Sequence, residues 1–94
     1  MRHVIRYHTF MSLPFLIAAP PSALIVDARG EFCPWPLLNT KAALAPLASG
    51  ALVAVYADDP LAELDLRALC ERAGHTLVEC SAHAGQLYVL LAKA

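Results

Sequence analysis

The stretch that decides the fold is Leu24-Ile25-Val26-Asp27-Ala28-Arg29-Gly30-Glu31-Phe32-Cys33-Pro34-Trp35-Pro36. Its first three residues are a short apolar run rich in β-branched side chains, closed by the turn-forming Asp27-Ala28-Arg29-Gly30, which predicts a strand and its exit. Pro34 and Pro36 fit the first turn of a helix, where backbone N–H groups have no intrahelical partner to lose. Leu37, Leu38, Leu44 and Leu47 then share a broad face at helical spacing, with Lys41 at its margin, predicting a helix over about 34–48. A strand thus hands over to a helix through one short loop, and Cys33 is expected at the N-cap.

Downstream the same grammar repeats. Ser49-Gly50 is expected to supply a left-handed stop, and Ala51 to Tyr56 is a continuous apolar run, the pattern of a central strand buried on both faces. Asp58-Asp59-Pro60 reads as a second helix start, with Asp59 as N-cap and Pro60 at the first helical position. Leu66, Leu69, Cys70 and Ala73 form its apolar stripe; Glu63, Arg67 and Glu71 stand at i, i+4 intervals on another face, and Gly74 closes it. Thr76–Ser81 and Gln86–Ala92 read as strands joined through His83-Ala84-Gly85, a link short enough for an antiparallel hairpin. The order β-α-β-α-β-β predicts an α/β (α+β) fold: a two-layer sandwich in which two helices cover one face of a four-stranded mixed sheet.

Working back toward the N-terminus, Phe10 to Val26 carries no charge for 17 residues and follows Arg2 and Arg6, superficially like a secretory signal. Pro14, Pro20 and Pro21 interrupt it, which argues against a membrane-spanning helix, and Ala19 to Ala23 offers no clean small-x-small cleavage pattern. Met11 is an alternative start. Residues 1–22 are read as a flexible N-terminal extension and 23–94 as the domain, with the extension expected to be removable. The alternative is an element docked by Phe10, Leu13, Phe15 and Ile17. A 94-residue chain has room for one domain, and 59% hydrophobic against 16% charged residues excludes global disorder. A net charge of -1 lacks the basic excess that drives nucleic-acid binding.

Three cysteines, Cys33, Cys70 and Cys80, form an odd set without a Cys-x-x-Cys pair, and the four histidines never occur at i, i+4. Neither a disulfide scaffold nor a metal site is expected. Chemistry is expected at Cys33, where the positive end of the helix would lower the thiol pKa and the Trp35 and Leu37 N–H groups would contact the sulfur anion. A thiol with no cysteine neighbour must pass its cargo to another molecule. A cysteine–histidine arrangement would need His75 or His83 brought close by folding, and the bland alternative is a buried, inert thiol. Gly30 is expected at positive φ, aiming Cys33. Asp27, Asp58 and Asp59 read first as strand-end and cap residues, and Arg29 and Lys41 either build an electropositive approach or are solvated surface. Trp35 either anchors a partner or packs over its own helix. Cys70 reads as core; Cys80 is left open by strand alternation.

Asp27-Ala28-Arg29-Gly30 followed by Cys33-Pro34-Trp35-Pro36, Lys41, Ala57-Asp58-Asp59-Pro60 and Gly74-His75 together resemble the TusA/SirA family of small sulfur carriers over residues 24–92. The resemblance implies a cytoplasmic sulfurtransferase in which Cys33 accepts sulfane sulfur as a persulfide and relays it, supported by Gly30, Pro34, Trp35 and Pro36. It implies a cysteine desulfurase or other sulfane-sulfur donor, a downstream acceptor protein, and no metal or organic cofactor beyond the covalent persulfide. Direct contact with nucleic acid or membrane is not expected. Family members serve tRNA thiolation, molybdenum cofactor assembly or sulfur oxidation, among which the motif does not choose. Arg29, Trp35, Lys41, Asp58 and Asp59 are the candidate partner-binding residues. Departures from the family pattern are Glu31 where an apolar residue is common, the bulky Trp35, and the long leader. Two other classes compete: a non-catalytic interaction or regulatory module, and a thiol redox sensor resolved by Cys70, Cys80 or an external thiol.

Overall fold

A computed structural model describes residues 19–94. The leader features at Phe10–Ile17 and Met11 lie outside the described residues. The elements are β1 (Leu24–Ala28), α1 (Trp35–Leu44), β2 (Leu52–Ala57), α2 (Ala62–Ala73), β3 (Thr76–His83) and β4 (Gln86–Ala92), the expected order. The described residues form a four-stranded sheet in the order β1-β2-β4-β3. β1 runs parallel to β2, while β2–β4 and β3–β4 are antiparallel, so the sheet is mixed. Both helices share one side. There Val26, Val53, Val55, Leu87, Val89 and Leu91 of the sheet meet Leu44 of α1 and Leu66, Leu69 and Cys70 of α2 in one core cluster.

The unbroken apolar run of β2 is explained by its central place: Val53 to Ala57 are all buried, with side chains alternating between the two faces. At the β3–β4 turn, Ala84 (φ 52) and Gly85 (φ 80) both adopt left-handed backbone, the two-residue geometry that matches strand twist in a tight hairpin. β3 carries an irregularity between Leu77 and Glu79. The bulge gives Val78 no place in the pairing register and leaves it exposed.

The helices depart from expectation at their ends and faces. α1 begins at Trp35 with Pro34 at the N-cap and no side-chain cap, so Cys33 lies one residue outside the helix. It stops at Leu44, not 48, because Pro46 cannot continue it. Gly50 has left-handed backbone but sits in the following turn. The buried face is Pro36, Asn39, Thr40, Ala43 and Leu44; Leu38 is exposed and Leu37 only partly covered. Two polar residues can face the core because each is satisfied: Asn39 Nδ2 donates to Glu31 Oε1 at 2.6 Å, and Thr40 Oγ1 donates to the Pro36 carbonyl at 2.8 Å. The first of these bonds accounts for the acidic residue at position 31. Lys93, at the end of β4, donates to the carbonyls of Leu44 and Leu47 at 2.8 and 3.0 Å, supplying the C-terminal cap that the α1 sequence lacks.

α2 starts at Ala62 with Leu61 at the N-cap, so Asp59 is not its side-chain cap. Its stripe is extended by buried Ala62 at the front, while Ala73 is exposed at the back. Gly74 closes it as expected, donating its N–H to the Cys70 carbonyl at 2.9 Å.

Candidate functional site

Because β1 and β2 are parallel neighbours and each leads into a helix, the β1–α1 and β2–α2 links open at the same end of the sheet. The two links are tied together. Asp58 receives the Gly30 N–H on Oδ1 at 2.9 Å and Oδ2 at 3.1 Å, and Asp59 Oδ2 receives the Cys33 N–H at 2.9 Å. Gly30 has φ 84, where a side chain would be strained, and this turn aims its N–H across the gap. The aspartates therefore replace helix capping with a longer-range task, holding the cysteine loop against the neighbouring crossover. Asp59 is buried and Asp58 exposed.

Asp27 is buried at the end of β1 and is held by Arg29, whose Nε and Nη2 donate to Oδ1 and Oδ2 at 2.8 and 2.7 Å. The bidentate pair raises the Arg29 pKa, chiefly through the hydrogen bond to Asp27. Arg29 is thus committed to the strand end. Lys41 is exposed, and lines a shallow depression with Leu69, His75 and Lys93 toward the C-terminal end of α2, away from Cys33.

The thiol itself is exposed, and its Sγ donates to Asp65 Oδ2 of α2 at 3.1 Å. This contact reverses the expected electrostatics. The Cys33 pKa is raised, first by the hydrogen bond to Asp65, then by desolvation, and further by the charges of Asp65 and Asp59. A carboxylate in direct contact accepts the S–H and repels the anion, so it favours the protonated thiol. Nor is the Trp35 N–H free for sulfur, since it donates to the Phe32 carbonyl at 2.8 Å. The peptide bond between Cys33 and Pro34 is cis.

Neither histidine joins the thiol: His75 Nδ1 accepts the Ala94 N–H at 2.9 Å, and His83 lies exposed beside the β3–β4 turn. Among the described residues no three His, Cys, Asp or Glu side chains converge as a metal site. Cys70 is buried in the core, and burial pushes its thiol pKa up; Cys80 is half-buried, facing the helices near Glu63 and Arg67. Cys33 alone of the three is exposed.

Around it lies apolar surface. Phe32 (73% exposed) and Trp35 (51%) flank the cysteine on its own loop and helix start. Leu61 (53%) and Leu64 (68%) rise from α2, Leu64 beside Asp65 and Leu61 one helical turn before it. Trp35 is therefore half-open at the rim, neither fully packed on α1 nor fully free. Residue-level reading found Cys33, Gly30 and Trp35 but missed Asp65, Leu61 and Leu64. Their only sequence signal is that Leu61 and Leu64 break the polar side of an otherwise amphipathic helix.

The family model Sulfurtransferase TusA matches residues 24–93. The chain is 39% identical over 75 residues to Sulfur carrier protein TusA of Pseudomonas paraeruginosa, covering 79% of this chain and 95% of the relative. It is 34% identical over 68 residues to Sulfur carrier protein TusA of Allochromatium vinosum, covering 72% and 90%. The crystal structure of a SirA-like protein from Desulfitobacterium hafniense superposes with a TM-score of 0.65 at 30% identity, covering 72% of this chain and 93% of that one. The chain belongs to the TusA family.

Proposed function

From that membership we propose that the protein is a sulfur-carrier sulfurtransferase that accepts a sulfane sulfur on Cys33 and relays it, as a persulfide, to an acceptor protein. The observation that carries the reading is the exposure of Cys33 alone among the three thiols, on a loop fixed by Asp58 and Asp59 and rimmed by apolar side chains. An exposed sulfur on a fixed loop suits transfer between proteins, where each partner must reach the same atom in turn.

In loading, Cys33 sulfur attacks the terminal sulfur of a donor persulfide, such as that of a cysteine desulfurase; a new S–S bond forms on Cys33, the donor S–S bond breaks, and the donor thiolate leaves. Asp65, already accepting the Cys33 S–H, is placed to receive the proton as that bond forms. In delivery, an acceptor thiolate attacks the terminal sulfur and Cys33 leaves as thiolate, which Asp65 favours reprotonating. One sulfane sulfur moves in each step, and no external oxidant or reductant is consumed. Apart from the covalent persulfide, the reaction calls on no cofactor. Three unpaired thiols suit the reducing cytoplasm.

Intact-mass measurement after incubation with a cysteine desulfurase and cysteine, or with polysulfide, should show one added sulfur, about 32 Da. Cys33→Ser should abolish the adduct and keep its circular dichroism. Loading that persists in the variant, or maps to Cys70 or Cys80, overturns the reading.

A further inference from the structure

The exposed apolar side chains around Cys33 are set among carboxylates. In the chain Phe32 lies between Glu31 and Cys33, and Leu64 lies between Glu63 and Asp65. Asp58 and Asp59 follow β2 on the adjoining link, and Asp65 stands in the first turn of α2. Four of these carboxylates take their hydrogen bonds from neutral donors. Glu31 accepts from Asn39 Nδ2 at 2.6 Å, Asp58 from the Gly30 N–H at 2.9 Å, Asp59 from the Cys33 N–H at 2.9 Å and Asp65 from the Cys33 S–H at 3.1 Å. A neutral donor stabilises the carboxylate and leaves its charge uncancelled.

The described cations are placed elsewhere or already engaged. Arg29 donates from Nε and Nη2 to Asp27. Arg67 pairs with Glu63 at 3.1 Å, near Cys80. Lys41 and Lys93 line the depression toward the C-terminal ends of the two helices, and Arg72 lies in the last turn of α2. The expected electropositive approach built by Arg29 and Lys41 is therefore not formed. Both helices do turn their N-termini toward the Cys33 end, each contributing roughly half a positive charge. Two such ends do not balance four carboxylates, so the surface a partner meets there is negative.

A surface of this composition repels an anionic partner, while an uncharged apolar one would strip water from the carboxylates without replacing it. A cationic side chain beside an apolar one answers both demands. Building on the sulfur-relay reading, on which this inference rests, we propose that the protein segment docking at the Cys33 rim is cationic as well as apolar. Lys or Arg flanking its reacting cysteine meets Asp58 and Asp65, and an apolar side chain meets Trp35 and Leu64.

The test uses the full chain and two end-blocked peptides, Lys-Leu-Cys-Lys and Glu-Leu-Cys-Glu, each activated as a mixed disulfide with 2-nitro-5-thiobenzoate. The Cys33 thiolate attacks the peptide sulfur, a new S–S bond joins peptide to protein, the old S–S bond breaks and the coloured thiolate leaves. Its release gives the rate, and peptide mass mapping confirms Cys33 as the site. At an ionic strength of about 10 mM the lysine peptide should react at least about ten-fold faster than the glutamate peptide. At about 1 M, where the screening length falls to about 3 Å, the advantage should shrink to about two-fold.

A thiolate favours a cationic peptide by itself, so the carboxylates are isolated by comparing variants. Asp58→Asn and Asp65→Asn, which keep an oxygen acceptor, should each lower the low-salt ratio about three-fold, while Glu71→Gln near the far end of α2 leaves it unchanged. Taking a ratio cancels any change in the intrinsic reactivity of Cys33. A ratio that is the same in the native chain and both aspartate variants, or that does not respond to salt in the native chain, overturns the inference. Failure of the relay reading is read separately, by mass: intact persulfide loading without a charge preference removes this inference alone, whereas a charge preference on a Cys33 that never loads removes the relay on which it rests.

Discussion

Asp65 Oδ2 stands 3.1 Å from Cys33 Sγ, so the candidate sulfur-carrying atom, placed by the β1–α1 loop, rests on a carboxylate supplied by the other helix. Asp65→Asn tests what this contact does. The native carboxylate raises the thiol pKa through the hydrogen bond and its charge; the amide removes the charge and can donate to a thiolate. The midpoint of iodoacetamide alkylation against pH should move to lower pH, and alkylation at neutral pH should accelerate. Desulfurase loading should fall if the proton transfer proposed for Asp65 limits attack. An alkylation profile unchanged in midpoint would show that the contact does not govern the thiol.

The paired aspartates predict a graded effect on stability. Asp59 is buried and receives the Cys33 N–H, whereas Asp58 is exposed and its loss leaves Gly30 able to meet water. Asp59→Ala should therefore cost about 2 kcal/mol, the range for a charged hydrogen bond lost with a partner left unsatisfied. That is roughly 8 to 16 °C in melting temperature for a domain of this size. Asp58→Ala should cost less than about half as much. Thermal melts of the two variants check the order, and equal losses would contradict the burial argument.

How far the sequence carried is clearest at these same residues. Turn chemistry and short apolar runs placed all four strands and the Gly74 cap, because those signals are local. Asp59 looked like an N-cap for the same reason: the residue types that cap helices also bridge loops, and only tertiary pairing of β1 with β2 decides between them. The α1 face was misread because leucines outweighed Asn39 and Thr40 in the pattern, and their burial depends on hydrogen bonds to Glu31 and Pro36. Cys33 was legible from its motif. Asp65 was not, since 32 residues separate it from the sulfur it touches.

Tyr88 makes the fold sensitive to alkali. Burial, followed by the charges of Tyr56 and Glu79, pushes its pKa up to about 12, against about 10 in an unfolded chain. Below the unfolded value both states are neutral and the contribution is fully present. As pH rises from about 10 toward the folded value, the unfolded state ionises first and stability falls, by up to about 3 kcal/mol across the interval. Tyrosinate absorbance should therefore appear together with loss of circular dichroism, and Tyr88→Phe should flatten the stability profile above pH about 10. Ionisation of Tyr88 near its ordinary pKa in a chain that stays folded would contradict its buried placement.

Substitution of Trp35 should separate loading from transfer. Its indole is half-exposed beside Cys33 and, with Phe32, Leu61 and Leu64, makes an apolar rim whose members offer no proton-transfer group. Polysulfide needs only the sulfur atom, whereas a protein donor or acceptor must seat its surface on the rim. Trp35→Ala should thus leave polysulfide loading nearly unchanged while weakening association with a protein partner by about 1 to 2 kcal/mol, roughly ten-fold. The buried half of the ring predicts a small loss of melting temperature in addition, since truncating an aromatic contact removes apolar burial even at a partly open site. Measuring melting, polysulfide loading and desulfurase-to-protein transfer on one variant resolves these contributions. Transfer that falls only in proportion to lost folded protein would assign Trp35 to packing, and unchanged transfer would remove it from the docking surface.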